Sequence, residues 1–416
     1  MTGHAMSTLQ PLTRAVDRLR EARWITRRTL LIGGYLFAAL SVFLIVSGIR
    51  FVTRNGVATS VGDPLAFDFL NMFAGAKAVY GGHAQLVYDH AWFDALERTI
   101  VGPQANVAIY SYPPVMLLLT LPLAFFSYVP ALIVWTLLGV GLGFALLRRL
   151  VAWPEAAIAV IGTPGAFYSL LFGQNGFFTA AFLAGGLMAL ERRPVIGGIC
   201  FGCLAYKPHL GLLLPVALAV GGHWRTFAAA AATVAVLVLA SLAFFGTSTW
   251  IGFLGSLASN RDLIAFAPRP DRIPTAFTAA RELGMTVTFA YAVQMLSSVL
   301  ALGAIVFVWR TPAPVETKAA SLVVATFLVT PYAWDYDTVV LIFAAAWLGR
   351  EGMRTGFLPW ERIAIVLLLT FVLLADGSAK LWGIQPGPVI LWLVLLVLMR
   401  RALGSQGRGV FSAPPI

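Results

Sequence analysis

VIGGICFGCLAYKPHLGLLLPVALAV, residues 195–220, runs for 26 residues with a single lysine, a single histidine and no acid. About 20 consecutive apolar residues suffice to cross the hydrocarbon core of a bilayer. The stretch therefore predicts membrane-embedded helix, either one crossing or a hairpin that turns at Lys207. Further apolar runs lie at 29–51, 112–126, 129–147, 155–172, 177–190, 225–245, 285–309, 319–332, 338–348, 363–375 and 389–398. Together they predict an all-α polytopic membrane protein with about 11–13 transmembrane helices. Several runs are shorter than a full crossing, which predicts tilted, broken or re-entrant helices around a cavity.

Composition agrees. Of 416 residues, 59% are hydrophobic and 11% charged, with mean hydropathy +0.84. Soluble domains carry about 25% charged residues, so this chain has too little polar surface to cover a soluble globule. The net charge of +11 comes from arginines clustered at the ends of apolar runs. That is how membrane topology is written, and it is not the continuous basic face of a nucleic-acid binder. Cys200 and Cys203 form a C-x-x-C within apolar sequence. With no further zinc ligands and no redox fold around them, they read as small residues packed between helices.

Residues 1–28 carry six arginines against Asp17 and Glu21, with Leu9, Leu12, Val16 and Leu19 at helical spacing. They predict a cytoplasmic amphipathic segment leading into an uncleaved first span. Residues 29–402 form a single transmembrane domain, and 403–416 read as a disordered tail. Two polar stretches, 53–111 and 246–284, fall on the non-cytoplasmic side and are expected to carry short helices. Twelve spans return Arg400 and Arg401 to the cytoplasm. They leave Arg148–Arg149 and Arg192–Arg193 outside, which a hairpin at Lys207 would repair.

Five places carry candidate chemistry. Asp68, between Phe67 and Phe69, opens an apolar-faced segment in the first polar stretch. Partial desolvation there would raise its pKa and suit it to take a proton from a hydroxyl; the alternative is a helix N-cap. Gln174 and Asn175 lie between Gly173 and Gly176, where amides bind sugar hydroxyls or close a turn. Lys207, followed by Pro208 and His209, is an ionisable residue inside a membrane segment, placed to meet a phosphate or to snorkel to the interface. The second polar stretch offers Arg261, Arg269 and Arg272 as phosphate contacts, or as a solvated loop. Tyr332, Trp334, Asp335, Tyr336 and Asp337 form an aromatic platform for carbohydrate. Asp-Tyr-Asp also looks like a metal-holding D-x-D, but two acids at i, i+2 of a helix diverge, so both meet one ion only from a loop.

In their order these parts resemble glycosyltransferase family 87, the polytopic family that includes a mycobacterial phosphatidylinositol-mannoside mannosyltransferase. The resemblance runs from the first-stretch acid through Ala76-x-x-x-Tyr80-Gly81-Gly82, Tyr88 and Gly173-Gln174-Asn175. It continues through Arg192-Arg193-Pro194, Gly197-Gly198, Lys207-Pro208 and Trp224-Arg225, over about residues 30–350. It implies a GT-C membrane fold, a polyprenyl-phosphate-linked sugar donor, and transfer to a glycolipid or polysaccharide acceptor on the extracytoplasmic face of the plasma (inner) membrane. Asp68 then becomes the general base and Lys207 a donor-phosphate contact, with Tyr80, Gln174, Asn175 and His209 toward substrate. Family members often carry a histidine after the Pro-x-x-Trp of the late motif. Here Asp335-Tyr336-Asp337 follow Trp334 instead, which leaves that segment's role open.

The resulting expectation is an inverting glycosyltransferase moving a mannose-like hexose or a pentose, without cofactor. A divalent cation at Asp335 and Asp337 is left open. A flippase or transporter for lipid-linked saccharides and a non-catalytic assembly partner are the alternatives. The long first polar stretch and the absence of a visible internal repeat speak for the enzyme.

Overall fold

The computed structural model describes residues 16–53, 62–265 and 270–406. Among these residues every extended element is a helix, and the β contact present is an isolated bridge between Gly62 and Ala105. Five helices are long and apolar enough to cross a membrane: Arg27–Arg50, Tyr128–Leu147, Trp224–Leu257, Val287–Arg310 and Gly387–Gly404. A sixth is the pair Glu361–Leu369 and Phe371–Trp382, bent by 66°. The chain is an all-α polytopic membrane protein. Its long helices turn Leu36, Leu137, Leu239, Phe244 and Ile251 outward, a surface that matches lipid tails and would be costly in water.

Among the described residues, helices of full span length thus number five or six, against the eleven to thirteen transmembrane helices expected from apolar runs. The remaining runs are cut short. Val115–Phe125, Gly176–Ala189, Pro194–Tyr206 and Pro208–Val220 are apolar helical segments of less than span length. The run 155–172 breaks before Pro164 and the run 195–220 breaks before Pro208, each proline opening a new helical turn. Proline lacks an N–H and is tolerated only in that first turn. The interrupted segments are the buried ones: Gly176–Ala189, Val315–Thr326 and Leu341–Thr355 contribute to one apolar core with the last helix. Cys200 and Cys203 are unpaired, on the helix Pro194–Cys203 that lies along Trp224–Ala265. A Cβ on Gly202 would fall 2.4 Å from Thr233, so small residues do set this contact.

The polar stretches differ from simple loops. In 53–111 the helix Phe67–Tyr80 is buried from Phe69 to Ala76 and packs on Leu121–Phe125, while His90–Val101 lies against it. Glu97 ties the two: its buried carboxyl accepts from the Asn71 amide at 3.4 Å and from the Ala108 N–H at 3.0 Å. Burial pushes this carboxyl up to about 8. The expected second loop, 246–284, is helical over its first part. The helix Trp224–Ala265 continues past a joint at Gly246, where φ is 80°, because Trp250, Ile251, Phe253 and Leu254 extend the apolar sequence.

Residues 1–15 of the basic segment and 407–416 of the expected disordered tail lie outside the described residues, whereas 403–406 belong to the last helix. At that end of the chain arginines gather. Arg401 pairs with Glu361 at 2.5 Å, Arg354 with Glu351 at 2.7 Å, and Arg362 donates to the Ile25 carbonyl at 2.6 Å.

Candidate active site

The site begins with the turn at 173–176. Gly173 has φ +64°, and a Cβ there would sit 2.7 Å from the Cβ of Phe69 and 2.8 Å from that of Ala66. A Cβ on Gly176 would sit 2.2 Å from the Tyr336 carbonyl oxygen. The two glycines therefore allow the Gln174–Asn175 pair to touch the start of Phe67–Tyr80 on one side and the late segment on the other. The Phe69 N–H donates to the Phe172 carbonyl at 3.1 Å and fixes the first of these approaches.

Asp68 is not an N-cap. The cap position belongs to Ala66, in the left-handed region at φ 53°, and no side chain caps the helix. The Asp68 carboxylate instead lies near the Gln174 amide, in the field of Arg272, Lys207 and Asp335. Burial pushes it up to about 6, against the pull of Arg272, the Gln174 amide and Lys207. Its Oδ2 is buried with no hydrogen-bond partner.

Lys207 sits between two short 3₁₀ turns, Leu204–Tyr206 and Pro208–Gly211. Its side chain is buried and does not snorkel. Nζ donates to Asp337 Oδ1 at 2.5 Å and lies 4.8 Å from the centre of the Tyr336 ring. Arg272 approaches from the second polar stretch. Its Nε and Nη2 donate to the two oxygens of Asp335 at 2.8 and 3.1 Å, and the guanidinium lies 4.0 Å over the Phe172 ring. The 3₁₀ helix Asp335–Val340 sends its two acids to different cations, so they do not converge as a D-x-D pair would. Asp337 Oδ2 also accepts from the Trp334 N–H at 3.2 Å.

Aromatic rings wall the site. Trp334 stacks on Tyr336 at 6.1 Å, and His209 meets Tyr332 edge-on at 4.9 Å with its Nε2 buried and without a partner. Asp68, Gln174, Asn175, Lys207, His209, Arg272, Tyr332, Trp334, Asp335, Tyr336 and Asp337 are thus brought together. Tyr80 is not. It is exposed at the far end of its helix, about 18 Å along the axis from Asp68 at 1.5 Å per residue, and packs edge-on against Phe125. The Arg261 side chain and all of Arg269 lie outside the described residues.

Two residues of the site carry no mark that sequence reading picks out. Tyr112, at the head of an apolar run, donates from its hydroxyl to Gln174 Oε1 at 3.2 Å and accepts from Asn175 Nδ2 at 3.0 Å. Asp376, at the margin of another run, is buried with neither oxygen hydrogen-bonded, close enough to feel Asp335 and Arg272. A polar residue before Pro113-Pro114 and an acid in an apolar helix are the signals that were available.

The arrangement joins a carboxylate with a free oxygen, two cations with unspent donors, and an aromatic wall. A family model described as glycosyltransferase family 87 matches residues 110–331, more than half of the chain. The matched segment holds Tyr112, Gln174, Asn175, Lys207 and Arg272; Asp68 precedes it, and Trp334 to Asp337 follow it. No curated protein and no solved structure matches the chain.

Proposed function

The chain belongs to glycosyltransferase family 87 and is a membrane glycosyltransferase, and from that premise we propose that it transfers a mannose-like hexose or a pentose from a polyprenyl-phosphate donor to a lipid or polysaccharide hydroxyl, with Asp68 as general base. The observation that carries this reading is the convergence at the 173–176 turn, where the start of the Asp68 helix meets Phe172 and Gly173 on one side and the Tyr336 backbone on the other, with Lys207 and Arg272 bonded to Asp337 and Asp335 of that late segment. A base for the acceptor and cations for the leaving phosphate are what the reaction requires.

The ion pairs leave room for this chemistry. Asp337 uses one N–H of Lys207 and Asp335 uses two of Arg272, whereas an ammonium offers three donors and a guanidinium five. The remainder are available to phosphate oxygens, where they stabilise the charge that develops as the sugar–phosphate bond breaks. Asp68 Oδ2 and Asn175 Oδ1, both buried and without a partner, are acceptor atoms suited to a substrate hydroxyl. Ionised Asp68 takes the acceptor proton as the oxygen attacks the anomeric carbon. Asp335 and Asp337 are held by their cations and not poised as nucleophiles, which favours single displacement with inversion.

A lipid carrier has a place as well. A cavity of about 400 Å³, lined by Pro113, Leu204, Pro208, Leu214, Phe227 and Val234 among others, is almost wholly apolar and suits a prenyl chain; its Pro208 follows Lys207 in the chain. The GT-C architecture, the extracytoplasmic site and the cytoplasmic ends belong to the same reading, and the arginines gathered around 354–362 and 400–401 support it.

The test is Asp68→Asn, read as glycolipid product by mass spectrometry of membranes. Product should fall by about 10²–10⁴-fold, the worth of a general base, and wild-type kcat/KM should drop as pH falls through about 6, where Asp68 protonates. Normal product from a variant that accumulates normally would remove Asp68 from the mechanism.

A further inference from the structure

We propose that Gln385, at the corner between the helix Phe371–Trp382 and the last helix, is a positioning residue that holds Arg272 in the site. This rests on the reading of Arg272 as a contact for the leaving phosphate. It gives a role to a part of the chain that follows the family-matched segment 110–331. Gln385 is buried, and both ends of its amide are engaged. Nε2 donates to the Asp271 carbonyl at 3.1 Å, and Oε1 accepts from the Gly387 N–H at 3.1 Å. A carbonyl only accepts and a backbone N–H only donates, so these partners fix which way the amide points.

The bond to Asp271 acts on the backbone next to Arg272. Pro270–Arg272 is a single 3₁₀ turn, closed by the Ile273 N–H donating to the Pro270 carbonyl at 3.0 Å. One turn has little stability of its own and takes its shape from what packs on it. Here that is the helix Phe371–Trp382 and the corner that follows it. A Cβ on Gly387 would fall 2.7 Å from the Pro274 Cβ, so the last helix starts directly against the residues after the turn. Lys380 also reaches Asp271, Nζ to Oδ2 at 3.6 Å, but its side chain is 44% exposed. An ion pair open to water contributes little, whereas the Gln385 bonds are buried and costly to lose.

Arg272 is thus held at both ends. Its guanidinium is bonded to Asp335 and lies 4.0 Å from the centre of the Phe172 ring, with the rings of Tyr168, Trp334 and Tyr336 at 5.7–5.8 Å. A phosphate that engages the unspent N–H groups competes with Asp335 for the tip of the side chain, but not with Gln385 for its root. Gln385 therefore keeps the guanidinium over the Phe172 ring while phosphate binds, with the turn ordered beforehand.

The experiment measures binding of undecaprenyl phosphate to the full chain in detergent, with the thermal midpoint recorded alongside. Gln385→Leu should weaken binding by about fivefold, the worth of one buried hydrogen bond. Arg272→Met/Asp335→Leu removes the cation together with its buried partner and should weaken binding further. Adding Gln385→Leu to that pair should then cost no more affinity, because Gln385 acts through Arg272. A merely structural Gln385 would lower the thermal midpoint in both backgrounds and leave the affinity unmoved. Normal affinity in Gln385→Leu, or the same loss with and without Arg272, would overturn the proposal. Where Gln385→Leu does not accumulate, Gln385→Glu takes its place, read where its carboxyl is ionised. It keeps the acceptor for the Gly387 N–H, lacks the donor for Asp271, and is judged by the same criterion. Wild-type affinity in Arg272→Met/Asp335→Leu would instead sink the phosphate reading of Arg272 and this proposal with it, a result separate from the behaviour of Gln385.

Discussion

Lys207 meets the site with Asp337 already bound to it at 2.5 Å, in a setting where neither group reaches solvent. Removing one member of such a pair leaves a charge buried and uncompensated, at a cost of about 3–5 kcal/mol, whereas replacing both by apolar residues is often neutral. Lys207→Met should therefore lower both stability and activity. The double variant Lys207→Met/Asp337→Leu should regain most of the thermal midpoint in detergent while product formation stays lost. A double variant that recovered activity along with stability would show Lys207 to be structural. The same logic separates the two roles of Arg272, whose bidentate contact with Asp335 holds it over the Phe172 ring.

At the scale of elements, the site exists because three segments from distant parts of the chain approach closely at glycines. Gly173→Ala adds a methyl group 2.7 Å from Phe69 and 2.8 Å from Ala66, at a backbone φ of +64°. Strain of this kind costs about 1–3 kcal/mol, and relief requires the Asp68 helix to move away from Gln174. The expected result is a protein that inserts and accumulates but loses product formation by at least tenfold, as read by membrane glycolipid analysis; wild-type activity would mean the approach has slack. What was legible beforehand divides along the same line. Lys207 stood out because an ammonium inside 26 apolar residues needs a partner, yet nothing in the sequence names Asp337, 130 residues on. The choice between cap and base at Asp68 turns on the neighbour brought in by Gly173, a tertiary fact. Tyr112 reads locally as the edge of an apolar run, because its hydroxyl acquires meaning only beside Gln174. Apolar runs gave the membrane class directly, while prolines 164 and 208 turn continuous hydropathy into short buried helices.

For the whole molecule, the placement of the two faces is the remaining physical question, and charge argues for one answer. Arg354, Arg362, Arg400 and Arg401 make contacts among residues 25 and 351–362. Positive-inside bias assigns such a gathering to the cytoplasm. On the proposed reading, the first polar stretch, which carries Asp68, is expected on the opposite face. Two exposed positions report on this: His83, in the turn after the Asp68 helix, and Met353, near the end of Leu341–Thr355. With Cys200 and Cys203 replaced by alanine, which suits their packing between helices, His83→Cys and Met353→Cys each carry one thiol. A membrane-impermeant maleimide applied to whole cells should label His83→Cys, and should label Met353→Cys only after the membrane is opened. The reverse order, with Met353→Cys labelled in whole cells and His83→Cys only after the membrane is opened, would place the site on the cytoplasmic face. It would then require a donor presented there, because a sugar on an outer-leaflet lipid does not reach a cytoplasmic base.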